Sequence, residues 1–387
     1  MKRNVYDMSL ESPVARILIR LGTSLSQLIP WKNESGIFFF FPYWHVGGAE
    51  KVHADIVNCM QESKPWVFFT HQSQDSKFKK MFAGAGRVFN VWAILKYTLP
   101  FSIGLVSGYI NRHENAVVFG CSSRFFYRMV PYVRNSARCI DLMHAFGGGG
   151  EDFSLPAVPS LYARVAINKK TVDDFREQYE CRGIDSRYLN RIVLIENRVD
   201  IPESLPLKEH SGRVNILYVG RGSEEKRVHL VARAATMCKA RKIAAEFTFI
   251  GDVIDAVPIE DRQSCTFIGE VSEYHRIQQF YDASHMLVLA SSREGFPMVI
   301  MEAMAHGVVP VSTDVGGISV HVRDGINGIL IRELSEERIV EEMVTAIAGL
   351  ASDAAALEKL SHAAYDYARQ NFGSDRFCTA YRSLFFN

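Results

Sequence analysis

Short, continuous apolar runs recur along this chain, with helical stretches between them, and that alternation constrains the fold more than any other feature. In the first half the runs are Ile37–Phe41, Val67–Thr70, Arg87–Val91, Ala116–Gly120, Cys139–His144, Arg164–Asn168 and Ile192–Glu196. In the second half they are Asn215–Gly220, Glu246–Gly251, Cys265–Ile268, Met286–Ala290 and Val308–Ser312. A strand with one wet face alternates apolar and polar residues, whereas a parallel strand covered on both faces reads as an unbroken apolar run. Stretches such as Ala49–Met60 and Glu336–Ala351 fill the gaps as helices. The chain therefore reads as successive βαβ units, an α/β protein of doubly wound parallel sheets.

The alternation breaks at DIPESLPLKEHS, residues 200–211, where two prolines and polar residues mark a linker. A length of 387 residues also favours two domains over one. We expect a Rossmann-like domain over residues 1–205, with a short N-terminal extension, and a second one from residue 206. Ligands of such sheets bind beyond the carboxyl ends of the strands, so two of them are expected to face each other across a cleft that holds the site.

The net charge of +1 gives no sign of a nucleic-acid binder. Its distribution is uneven. Residues 1–205 carry 25 Lys+Arg and 19 Asp+Glu, which leaves 19 and 24 for the remainder, so the halves differ at +6 and −5. A basic first domain fits an anionic membrane surface or a phosphorylated acceptor. Residues 1–35, with Arg16 and Arg20 inside VARILIRLG, read as a short amphipathic helix on a bilayer or on the protein itself. Residues 91–110 approach membrane-spanning length, but Lys96 and Pro100 interrupt them, and a buried or interfacial helix is expected. The seven cysteines are scattered without a C-x-x-C, so we expect free, largely buried thiols in a reducing cytoplasm.

Four segments carry candidate chemistry. Glu294 and Glu302 sit eight residues apart within SSREGFPMVIMEAMAHG, a turn followed by an apolar helix in which a carboxylate needs a polar partner. That helix start offers free N–H groups and a positive dipole end to an anion, and Pro297 suits its first turn. Hydroxyl-binding carboxylates beside a phosphate site describe a pocket for a nucleotide sugar. In LYVGRGSEEKR a strand ends at Gly220, and Arg221 and Lys226 stand in position to clamp a diphosphate. In FFFFPYWHVGGAEKV, Gly47 and Gly48 join a strand to a helix with no Cβ to keep a ligand away. In CIDLMHAFGGGG, His144 closes a strand ahead of a glycine-rich loop. D-x-D is absent, so the usual metal-clamped nucleotide-sugar site is not expected. A dinucleotide fingerprint, a G-K-[ST] phosphate loop and a G-x-S-x-G elbow are absent too.

Taken in order, GGAEKV, GRGSEEKR, FIGD, TFIGEV, EGFPMVIME, VSTDVGG and DGINGIL resemble the retaining glycosyltransferases of family 4, also called glycosyl transferases group 1. The resemblance implies a GT-B fold, with the donor domain over 206–365 and a last helix, 366–387, crossing back to the first domain. It implies Arg221 and Lys226 on the donor diphosphate, Glu294 on sugar hydroxyls and Glu302 on the ribose. It further implies the amides of Gly295, Phe296 and Pro297 on the sugar, Gly47 and Gly48 near the diphosphate, and His144 near the reacting carbon. Glu270 and Val271 would pass the base. No cofactor or metal is expected, only a UDP- or GDP-linked sugar and a glycan or lipid-linked acceptor in polysaccharide or lipopolysaccharide synthesis, with peripheral contact to the inner face of the membrane. The alternatives are a transferase making a small soluble glycoside and a catalytically silent nucleotide-sugar-binding subunit. The chain departs from the family pattern in two segments: Arg198 replaces a glycine in ENRVD, and Asn168 and Lys169 stand where a serine is common.

Overall fold

The computed structural model describes residues 9–30, 35–45, 47–73, 76, 78–144, 146, 150–208, 212–271 and 273–387. They form two compact units, one running to Glu196 and taking back Phe377–Asn387, the other Asn197–Arg376. The first division thus falls after Glu196, where residue 205 was expected.

The first unit begins with α1 (Pro13–Ser26) and continues through β1 (Ile37–Phe41), α2 (Gly48–Cys59), β2 (Trp66–Phe69), α3 (Lys79–Ala85) and β3 (Arg87–Asn90). There follow α4 (Trp92–Ile110), β4 (Val117–Cys121), α5 (Arg124–Met129), β5 (Arg138–Met143), α6 (Gly150–Ser154), β6 (Ala163–Ala166), α7 (Lys169–Arg182) and β7 (Ile192–Leu194). The strands form one sheet in the order β3-β2-β1-β4-β5-β6-β7, and every pairing is parallel. β1 and β4 are buried at every position, as their unbroken apolar sequence requires. α4 is one helix kinked at Thr98, two residues before Pro100, whose ring cannot sit in a straight helix interior. Asn168 caps α7 by accepting from the Thr171 N–H at 2.9 Å, which gives that departure from the family pattern a local structural reason.

The second unit runs β8 (Val214–Val219), α8 (Val228–Ala240), β9 (Ala245–Ile250), α9 (Ile259–Arg262), β10 (Thr266–Gly269), α10 (Tyr274–Ala283) and β11 (Met286–Leu289). It continues with α11 (Met298–Ala305), β12 (Val309–Thr313), α12 (Ile318–His321), β13 (Ile329–Ile331), α13 (Glu336–Ser352) and α14 (Ala354–Asn371). Its sheet order is β10-β9-β8-β11-β12-β13, again all parallel. β13 is the one strand the apolar runs did not reveal, being three residues long in the turn-rich DGINGIL.

Both sheets therefore place their first strand centrally, with the second and third to one side and the fourth onward to the other. In such a sheet the chain leaves the first and fourth strands toward opposite faces, and a crevice opens between their carboxyl ends. That crevice lies at the ends of β1 and β4 in the first unit and of β8 and β11 in the second.

The chain end differs from expectation. Residue 366 lies inside α14, and a separate helix, α15 (Ser374–Phe386), starts after the chain turns at Phe372 and Gly373. From Phe377 this helix belongs to the first unit, where Tyr381 and Phe385 pack on Phe119 and Phe39. Cys59, at the end of α2, and Cys378, on α15, are joined in a disulfide. The expectation of free thiols throughout is corrected for this pair, which lies 319 residues apart in sequence and has no spacing signature. Cys181 is exposed, so not all the remaining thiols are buried either.

Candidate functional site

In the second unit the loops after β8, β11 and β12 meet at the crevice. Lys226 Nζ lies 2.5 Å from Glu294 Oε1, and the side chains are 19% and 9% exposed. Ser291 Oγ donates to the same carboxylate oxygen at 2.7 Å. Sequence reasoning named Lys226 and Glu294 as contacts to different parts of a ligand; the structure joins them directly. The pairing answers the cost of setting Glu294 against an apolar helix start.

Residues that sequence reasoning passed over hold this pair in place. Arg227, in a left-handed conformation at φ 44°, donates through Nε to the Ala290 carbonyl at 2.7 Å and through Nη2 to that of Ser291 at 3.1 Å. The Ser292 N–H donates to the Glu225 carbonyl at 2.8 Å. Thr313 Oγ1, at the end of β12, donates to the Ser291 carbonyl at 2.6 Å. The loop after β12 closes the site from the other side: the Gly317 N–H donates to the Gly295 carbonyl at 2.6 Å. Gly316 has φ +62°, and a Cβ there would stand 1.9 Å from the Glu294 carbonyl oxygen. Only glycine fits this approach. The only sequence signals were the second serine-side neighbour in SSREG and the glycine pair in VSTDVGG.

The other donor-side candidates take separate positions. Arg221 is exposed, and its carbonyl accepts from Tyr218 OH at 3.1 Å. Burial, and the negative charge of Glu294 nearby, hold the Tyr218 phenol well above its ordinary pKa. Gly295 and Pro297 are half-buried ahead of α11. Phe296 turns its ring onto His321, 4.3 Å between centroids, and onto Phe372, so its side chain anchors the loop. Glu302 sits within α11 and accepts from Tyr281 OH at 2.9 Å. Glu270 is exposed and Val271 half-buried just beyond β10, at the outer edge of the same strand ends. Neither α8 nor α11 has its first turn capped by a side chain, so two positive helix ends border the Lys226–Glu294 pair.

The first unit's crevice is built differently. His144 follows β5, and its Nε2 lies 3.1 Å from Nε2 of His53, a residue on α2 that the sequence reading did not single out. One imidazole must donate and the other accept, so the pair shares a single proton along that line. Burial pushes His144 down to about 4 and His53 well below its ordinary value, with His144 itself adding to the latter shift. Both rings are neutral at pH 7. His53 stacks on Phe41 of β1 at 4.3 Å between centroids, which fixes its plane. Cys121 Sγ and the two imidazole nitrogens lie within 4.8 Å of one another, the donor set of a small metal site. A cation there would have to displace a thiol proton that burial holds on to about 12.

Gly47 precedes α2 in extended backbone, and a Cβ there would stand 2.2 Å from Glu50 Oε2; at Gly48 a Cβ would meet nothing within 4 Å. The contact at Gly47 is with the movable end of the Glu50 side chain, so the packing requires glycine at neither position. Arg198 forms an ion pair with Asp200, which accounts for the side chain in ENRVD where the family pattern has a glycine.

Residues 213–353 match the family model described as Glycosyl transferases group 1. The chain is 24% identical over 284 residues to the lipopolysaccharide 1,2-N-acetylglucosaminetransferase of Salmonella typhimurium, covering 68% of this chain and 72% of that protein. It is 26% identical to the alpha-maltose-1-phosphate synthase of Mycolicibacterium smegmatis, covering 52% of this chain and 59% of that one. Among solved structures, Anabaena Alr3699/HepE in complex with UDP and glucose superposes with a TM-score of 0.69 at 17% identity, covering 90% of this chain and 99% of its own. The apo lipopolysaccharide outer core galactosyltransferase WaaB gives 0.64 at 19% identity, over 90% and 99%. Residues 213–353 thus resemble that family, within a chain of the GT-B fold.

Proposed function

We propose that this protein is a retaining glycosyltransferase that moves a sugar from a UDP- or GDP-linked donor to a hydroxyl of a glycan or lipid-linked acceptor, in cell-surface polysaccharide or lipopolysaccharide synthesis and without a metal. The observation that carries the proposal is the Lys226–Glu294 pair between two uncapped helix starts at the second unit's crevice. The group 1 match over the same residues, the Salmonella transferase acting on lipopolysaccharide and the UDP- and glucose-bound neighbour support it.

In this reading the donor diphosphate lies over the starts of α8 and α11. Lys226 and Arg221 take up the charge that develops as the bond between the anomeric carbon and the diphosphate breaks. Their placement before the reaction means that little reorganisation is needed when that charge appears. Glu294 turns from Lys226 to the sugar hydroxyls, and the amides of Gly295 to Pro297 hold the sugar against it. Glu302 takes the ribose, with Glu270 and Val271 beside the base. Gly48, with open space where a side chain would stand, lets the first unit's backbone approach the diphosphate. The acceptor oxygen bonds to the anomeric carbon on the face the diphosphate leaves, and its proton passes to the departing phosphate oxygen. His144, neutral and already in a proton-sharing pair, contacts the sugar near the reacting carbon.

A thermal-shift panel of nucleoside diphosphates and their sugars tests the reading. A ligand at one hundred times its dissociation constant adds ~2.7 kcal/mol to the folded state. We expect one base to raise the melting temperature and Lys226→Ala to abolish the rise. No shift with any uridine or guanosine diphosphate would overturn the donor site.

A further inference from the structure

A cysteine and two histidines are gathered on one face of the first unit's sheet. β4 and β5 pair in parallel with Cys121 beside Leu142, and paired residues of neighbouring strands point to the same face. Side chains alternate along a strand, so His144, two residues past Leu142, returns to the face that carries Cys121. β1 pairs Phe39 with Phe119, which by the same rule sets Phe41 on that face too. α2 covers it: His53, from the middle of that helix, stacks on Phe41 and meets His144 Nε2 to Nε2 at 3.1 Å. His53 and Cys121 are 1% and 0% exposed, and His144, half-buried, is the member nearest to solvent. One ligand-capable atom from each of the three lies within 4.8 Å of the others.

A proton between the two nitrogens satisfies them only along the line that joins them, whereas a metal ion takes both lone pairs and the sulfur at once. Tetrahedral Zn2+, about 2.0–2.1 Å from nitrogen and about 2.3 Å from sulfur, sets two nitrogens about 3.3 Å apart and a sulfur about 3.6 Å from each. The imidazole nitrogens already stand within about 0.2 Å of that separation, and the sulfur needs to move by about 1.2 Å at most. The surroundings favour a positive ion. The charged groups whose fields reach the thiol are Asp141, held by Arg164, and Glu50, a buried carboxylate one turn before His53 on α2. Donor type selects the ion. Two imidazoles and a thiolate suit zinc and copper, not the oxygen-seeking Mg2+ and Ca2+. Of these, Zn2+ has no redox chemistry and leaves the thiol unoxidised.

We propose that His53, Cys121 and His144 form a zinc site whose fourth position opens beside His144, and that Zn2+ bound there halts sugar transfer by occupying the His144 Nε2. On binding, three bonds form to the ion, the thiol proton leaves to solvent, and the proton between the imidazoles moves to the Nδ1 of the ring that carried it. The ion is an inhibitor, apart from the donor diphosphate, and transfer itself runs without it. The inhibition rests on the transferase reading above; the zinc site does not. The test strips the full chain with a chelator and titrates it with Co2+, a spectroscopic stand-in for Zn2+. We expect a near-ultraviolet sulfur-to-cobalt charge-transfer band that saturates at one ion per chain and is erased by an equal amount of Zn2+. Cys121→Ser should remove the band while the chain still melts cooperatively. His53→Gln should weaken zinc binding at least about a hundredfold, since loss of even an outer-shell partner costs up to that much. Cys181→Ser, which removes the exposed thiol, should leave the band as it is. Zinc at the concentration that erases the band should suppress donor hydrolysis by the wild type and not by Cys121→Ser. No band in the wild type, or a band that survives Cys121→Ser or disappears with Cys181→Ser, would overturn the site. A band with hydrolysis indifferent to zinc would overturn the inhibition. A band in a protein that hydrolyses no donor would break the transferase reading and leave the zinc site standing.

Discussion

The two crevices differ in a way the shared topology does not predict. Both sheets run third-second-first-fourth; the second unit gathers its candidates beyond its first and fourth strands, the first unit on the helix after its first strand and beyond its fifth. The second unit puts a lysine and a carboxylate there, largely buried and paired with each other. The first pairs two neutral imidazoles, one of them stacked on Phe41. The fold supplies the position and the side chains supply the chemistry. Charge at the second crevice suits the anionic part of a reaction; neutral nitrogens at the first suit hydroxyl and proton handling.

The comparison breaks most severely at the first unit's foundation. Three residues before His144, Asp141 of β5 meets Arg164 of β6 at 2.7 Å, with both side chains essentially out of solvent. Tyr179 accepts from Arg164 Nη1, Ser154 accepts from Nη2, and Tyr127 donates to Asp141. Arg164→Ala leaves a buried carboxylate alone and should cost about 3–5 kcal/mol. All four tryptophans lie before residue 93, so fluorescence in urea follows the first unit alone. Nucleotide binding by the second unit should survive at denaturant concentrations that unfold the first.

Lys226→Ala should lower turnover about a hundredfold, the effect of removing one preorganised charge-stabilising group, with no change in tryptophan-detected stability. Initial rates of donor hydrolysis give the measurement. Gly316→Ala should cost about 1–2 kcal/mol through its left-handed backbone alone. The push against the Glu294 carbonyl should then slow turnover while Lys226 remains, as differential scanning calorimetry and rate measurements together would show.

The acid response should belong to the first unit. Folding lowers the pKa of His53 and His144, so the unfolded chain binds more protons between about 6.5 and about 4. The stability contributed by the neutral pair is complete above that window and is lost as pH falls through it. Tryptophan-detected melting in His53→Gln should show a flatter dependence over this range. The smallest effect is expected at Gly48→Ala, within about 0.5 kcal/mol for stability, because the added methyl meets only open space. A fall in turnover without a fall in stability would show that a ligand's approach needs that glycine.

Much of this site was legible. Lys226, Arg221, Glu294 and His144 each sit at the end of an apolar run, where a parallel strand must deliver its following loop. The partners were not legible. Lys226 and Glu294 are 68 positions apart, and nothing in either segment states that they touch. His53 lies on a helix among Val52, Ala54 and Ile56, where it reads as a core residue. Arg164 and Asp141 sit inside strands whose apolar neighbours mask them. Arg227 follows two glutamates and a lysine in a polar turn, and its guanidinium fastens that turn to the loop after β11.

Apolar runs of strand length separated by helices determined by themselves that this chain forms parallel sheets, because backbone groups buried on both faces must pair and the side chains around them must be apolar. The glycines and charges that follow those runs were fixed in sequence as well. Which charge meets which was decided by the strand order. Closing the sheets brings the loops after β8, β11 and β12 together, and α2 beside β5, across separations over which local sequence carries no information. The disulfide between Cys59 and Cys378 belongs to the same class: it exists because the last helix packs on the first unit, and only the packed chain brings those sulfurs within bonding reach.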